Sequence, residues 1–86
     1  MLLIVFGLKA TNAHLCEMDI KSRVGTRIKE LREQKAMSQK DLAYAADLDR
    51  SYIASVENGQ RNISIVNLEK IATALKVSLE ELFRAI

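Results

Sequence analysis

Apolar positions from Ile20 onward recur at helical spacing. Ile20, Val24, Ile28 and Leu31 follow i, i+4, i+8 and i+11, one stripe along a helix ending near Lys35. Ser38 opens a second helix as N-cap, with Asp41 close to the helix's positive end and Leu42, Ala43 and Ala46 facing inward. Asp47-Leu48 reads as a short turn. Asp49 is then the N-cap of a third helix running to about Asn58, with Ile53 and Val56 on its buried side. Gly59 falls where a left-handed C-terminal cap belongs. Ser64 caps a fourth helix carrying Val66, Leu68, Ile71, Ala72 and Leu75. Ser78 with Glu81 forms a capping-box pattern for a fifth, bearing Leu79, Leu82, Phe83 and Ile86. The pattern predicts an all-α fold, a compact five-helix domain over residues 18–86.

Residues 1–17 break the pattern. Leu2 to Phe6 is an apolar run, too short to span a bilayer, which takes roughly 20 apolar residues. Neither Lys nor Arg precedes it, and Ala13-His14-Leu15-Cys16 lacks the small residue that a lipoprotein signal places before its cysteine. The segment reads as an added strand or helix, an expression scar, or an over-extended start, with Met18 a sensible first residue. Its functional status stays open.

Composition narrows the function classes. The 86 residues hold one small domain, and a body this small gains from dimerising through leftover apolar surface. Thirteen Lys and Arg against eleven Asp and Glu leave a net charge of +2, so a polyanion is permitted only if the basic residues cluster. The single cysteine, Cys16, cannot form an internal disulfide, which suits a reducing cytoplasm. His14 and Cys16 both precede the body, which therefore has no metal-ligand set and no Ser/His/Asp or Cys/His set. With no phosphate-cradling glycine loop either, the reading is of a protein with no cofactor and no enzymatic activity.

The informative stretch is Ser38 to Asn58, helix, tight turn and helix. A helix-turn-helix needs a small residue where the second helix crosses the first, and Ala43 supplies it. Leu48 in the turn and Ile53 and Val56 beneath the second helix complete the apolar set. Arg50, Ser51, Tyr52 and Ser55 are left at the start or on the outer face of a short helix that fits a major groove.

Ser38-Gln39-Lys40-Asp41-Leu42-Ala43, Leu48-Asp49-Arg50-Ser51-Tyr52-Ile53 and Val56-Glu57-Asn58-Gly59-Gln60-Arg61-Asn62-Ile63-Ser64 resemble the phage-repressor/Cro type of helix-turn-helix regulator. Within it, the wording is most similar to controller proteins of restriction–modification systems. The resemblance covers about residues 20–86. It implies a transcriptional regulator that binds a palindromic operator in double-stranded DNA as a homodimer and blocks or recruits RNA polymerase. Residue by residue, it implies base reading by Arg50, Ser51, Tyr52 and Ser55, and phosphate binding by Gln39, Asn58, Arg61 and Asn62. Arg32 and Glu57 match a buried ion pair between the first and third helices. Leu79, Leu82, Phe83 and Ile86 match the region that forms the homodimer.

Each role has a plainer alternative. Arg50 and Arg61 also fit solvated surface cations, Gln39 an exposed helix residue, and Tyr52 rim packing. Ala36 and Asp47 stand where the family commonly has glycine, at turns where a left-handed backbone is expected. A different use of the same fold is as an antitoxin-like interaction module, with the apolar C-terminal face holding a protein partner.

Overall fold

The computed structural model describes residues 19–84 and 86. Among them five helices follow in order: α1 (Ile20–Gln34), α2 (Gln39–Ala46), α3 (Arg50–Glu57), α4 (Ile65–Ala74) and α5 (Leu79–Phe83). Leu2 to Phe6, His14, Cys16 and Met18 lie outside the described residues.

Four of the helices start on a side-chain oxygen. Ser38, Ser64 and Ser78 accept from the backbone N–H of Asp41, Asn67 and Glu81 at 3.0, 3.1 and 3.0 Å. Asp19 accepts from Ser22 N–H at 2.8 Å, a cap the periodicity did not announce. At α2 the box closes both ways, because Asp41 also accepts from Ser38 N–H at 3.0 Å. At α5 it is the serine half of the predicted box that forms. The backbone N–H groups of Ser22 and Ser38 hold the Asp19 and Asp41 carboxyls below their ordinary range, since each bond favours the charged form.

Asp49 occupies the N-cap position of α3 but makes no side-chain cap bond, contrary to expectation. Its ψ is 143°, whereas the four bonded caps lie between 156° and 169°.

Four helices end alike. Ala36, Asp47, Gly59 and Lys76 adopt φ of 57°, 58°, 75° and 60°. In each case the next residue donates back across the turn: Met37 to Arg32 O, Leu48 to Ala43 O, Gln60 to Ser55 O and Val77 to Ala72 O, at 2.9–3.0 Å. This is the Schellman closure of a helix C-terminus. Gly59 adopts it freely, whereas a left-handed backbone costs the other three about 1 kcal/mol or somewhat less for aspartate.

The core centres on Ile28, Leu42, Ile53, Ile71, Leu75 and Leu82, all fully buried. α1 packs on α3 and α5, α2 on α3 and α4, and α4 on α5. Gly25 lets α1 meet the end of α3, because a Cβ there would strike the carbonyl oxygens of Val56 and Glu57. Two predicted core residues are exposed. Ile20 (52% exposed) lies on the correct side of α1 but in its first turn, ahead of the surface the helix packs on. Val66 (60% exposed) precedes Leu68 by two positions, which puts it about 200° around α4 from the buried face.

Candidate nucleic-acid interface

The unit formed by α2, the turn and α3 is built from the apolar positions the spacing singled out. Ala43, Ile53 and Val56 are buried, and Leu48 packs against the core from the turn. The left-handed Asp47 reverses the chain so that Leu48 N–H reaches Ala43 O at 2.9 Å. With that face buried, Arg50 and Ser51 stand exposed in the first turn of α3, and Ser55 is half-buried one turn on.

Two clusters hold α3 in place. At its C-terminal end, Glu57 is buried, and the helix dipole disfavours a carboxylate there. Arg32 of α1 compensates it with two bonds, Nε to Oε2 at 2.7 Å and Nη2 to Oε1 at 3.1 Å. The third guanidinium nitrogen donates to Met37 O at 2.7 Å, in the turn between α1 and α2. Gln39, the first residue of α2, adds Nε2 to Glu57 Oε1 at 3.0 Å. The Arg32 guanidinium is pushed further above its usual range, first by its bond to Glu57 and against the effect of burial. Gln39 is thus half-buried and pinned by one amide proton, which leaves its second amide proton free to donate.

The second cluster lies beside the N-terminal half of α3. Tyr52 is half-buried against the core and receives a hydrogen bond at its hydroxyl from Asn67 Nδ2 of α4, at 3.2 Å. The Arg61 guanidinium lies 5.1 Å from the centre of the Tyr52 ring, within cation–π range. Arg61 Nε also reaches Ser55 Oγ at 3.3 Å, while that hydroxyl donates to Ser51 O at 2.8 Å. Tyr52, Ser55 and Arg61, singled out separately in the sequence, are therefore neighbours, and Tyr52 combines packing with an available polar edge. Asn58 and Asn62 are exposed around the same loop.

Sequence reasoning missed Asn67. It is the third residue of α4, where its backbone N–H serves the Ser64 cap, and its side-chain contact lies fifteen positions back along the chain. Arg27 was also missed. It clamps the end of α5 to α1 by donating to Leu82 O at 3.0 Å and Glu81 O at 2.8 Å.

The C-terminal apolar face is smaller than expected. Leu82 is 0% exposed within the single chain, because it fills the space between α5 and its neighbours, and so it offers no surface to a second chain. Phe83 is 39% exposed, and Leu79 and Ile86 are half-buried, with Ile86 beyond the end of α5. Among the described residues no helix is long and apolar enough to cross a membrane, and no three His, Cys, Asp or Glu side chains group as metal ligands.

A family model described as helix-turn-helix matches residues 28–82. Control protein C.MunI from Mycoplasma is 53% identical over 66 residues, 76% of this chain and 89% of that protein. The crystal structure of the restriction–modification controller protein C.AhdI from Aeromonas hydrophila superposes with a TM-score of 0.71 at 52% identity, covering 72% of this chain and 94% of that one. A structure of the controller protein C.Esp1396I, a tetramer in complex with its natural 35-base-pair operator, gives a TM-score of 0.74 at 42% identity over 80% of this chain and 91% of that one. The chain therefore belongs to the helix-turn-helix regulators, among the controller proteins of restriction–modification systems, a family of transcription factors and not of enzymes.

Proposed function

We propose that this chain binds a palindromic operator in double-stranded DNA as a homodimer and thereby controls transcription of a restriction–modification locus. The observation that carries the reading is the fit to the operator-bound controller tetramer, 42% identical at a TM-score of 0.74. α3 lies in the major groove. Arg50 reads a guanine edge through two donors, flanked by Ser51, Tyr52 and Ser55. Gln39, Asn58, Arg61 and Asn62 grip phosphates on either side and fix the register. Phe83, with the exposed parts of Leu79 and Ile86, forms the dimer contact. That contact spaces two copies of α3 by one DNA turn, roughly 34 Å. The protein acts in the cytoplasm by occupancy alone, excluding RNA polymerase or recruiting it according to how many sites are filled.

The test is a fluorescence-anisotropy titration against the duplex upstream of its own gene, with a scrambled duplex of equal length, at about 150 mM salt. A preference of at least about 10³-fold for the upstream duplex is expected. Equal binding to both duplexes would contradict the proposal.

A further inference from the structure

The Tyr52 hydroxyl is engaged by a side chain of α4, and the direction of that bond matters. A phenol oxygen has one proton to give and two lone pairs to receive with. Asn67 Nδ2 donates to it at 3.2 Å, so a lone pair is occupied and the proton points elsewhere. The geometry around the pair restricts where. One edge of the ring packs on the core, Arg61 covers the ring at 5.1 Å, and Asn67 is itself fixed by its backbone bond to Ser64 Oγ at 3.1 Å. The remaining direction is the solvent side on which Ser55 and Arg61 lie, Arg61 touching both the Tyr52 ring and Ser55 Oγ.

We infer that Asn67, which lies on α4 outside the helix-turn-helix, is a positioning residue that presents Tyr52 to DNA as a hydrogen-bond donor. The inference rests on the DNA-binding reading above. It identifies the DNA atom by chemistry: an acceptor, either a phosphate oxygen or a base-edge oxygen or nitrogen, and not an exocyclic amine. It also makes α4 part of the recognition apparatus, through a bond that no feature of the helix-turn-helix itself requires.

The experiment is a double-mutant cycle on the full chain with Asn67→Ala, Tyr52→Phe and the double variant, each titrated against the upstream and scrambled duplexes. Asn67→Ala removes the donor without touching the Ser64 cap, which uses backbone N–H. Operator affinity is expected to fall by about 2- to 12-fold, the range of one net hydrogen bond, and the same substitution in the Tyr52→Phe background is expected to change nothing further. A loss on the upstream duplex alone assigns the acceptor to a base edge, and an equal loss on both duplexes assigns it to a phosphate. In the free protein, the Asn67 side-chain amide resonances should move in Tyr52→Phe and nowhere else along α4. Undiminished operator affinity in Asn67→Ala, a loss that persists in the Tyr52→Phe background, or unmoved amide resonances would each overturn the inference while leaving operator binding intact. Failure of the unsubstituted chain to prefer its upstream duplex would overturn both.

Discussion

The two ends of α3 are held by opposite kinds of chemistry. Its C-terminal end is fixed by a buried, charged, doubly bonded contact between Glu57 and Arg32, with Gln39 and Met37 drawn into the same network. Its N-terminal half is fixed by half-exposed contacts around Tyr52, a single hydrogen bond from Asn67 and the Arg61 guanidinium over the ring. The first arrangement is costly to disturb because a charge left alone out of water has no substitute partner. The second is cheap to disturb because water replaces what is lost. Rigid, buried support thus sits at one end of α3, and solvent-accessible contacts sit at the other. α3 is anchored at one end and more loosely held at the other.

Substitutions at the two ends sharpen this contrast. The largest effect is expected for Glu57→Ala, which strands the Arg32 guanidinium and frees Gln39. A loss of about 3–5 kcal/mol in urea-induced unfolding is expected, with operator binding lost as a consequence of unfolding. Ala36→Gly should act in the opposite sense. Ala36 holds φ of 57° in the turn beside Met37, whose carbonyl Arg32 grips, and glycine adopts that backbone without strain. A gain of about 1 kcal/mol in stability is expected, with operator affinity unchanged, measured by the same unfolding curve and by anisotropy. Tyr52→Phe keeps the ring and its packing and removes only the hydroxyl. Less than about 1 kcal/mol of stability should be lost, although operator affinity falls. A Tyr52→Phe variant as unstable as Glu57→Ala would abolish the distinction between the two ends.

How much of this was written in the sequence differs between the same two regions. Helix starts were legible because Ser38, Ser64 and Ser78 each precede an apolar periodic run and carry a short acceptor. The core under α3 was legible because Ile53 and Val56 fall three apart. Helix ends were less so. Gly59 announces a left-handed residue, Ala36 and Asp47 did so only by standing where related sequences carry glycine, and Lys76 gave no signal since its side chain is irrelevant to that backbone. Ile20 and Val66 show the limit of periodicity, which gives the direction of an apolar face but not the extent of the surface opposite it. Leu82 shows the converse, an apolar residue assigned to an outer face that the domain's own core consumes. The Arg32 and Glu57 contact spans 25 positions and emerged from family likeness, not from spacing. The contact between Asn67 and Tyr52 had neither signal, since the two residues lie fifteen positions apart on different helices and no spacing rule links them.

The central claim is that the outward residues of α3 read base edges. Titration of Arg50→Ala beside the unsubstituted chain, against the upstream and scrambled duplexes at about 150 mM salt, tests it most directly. The account predicts a loss of about 5- to 150-fold on the upstream duplex, the worth of one bidentate guanine contact, with binding to the scrambled duplex nearly unchanged. An equal loss on both duplexes, or none on either, would contradict it.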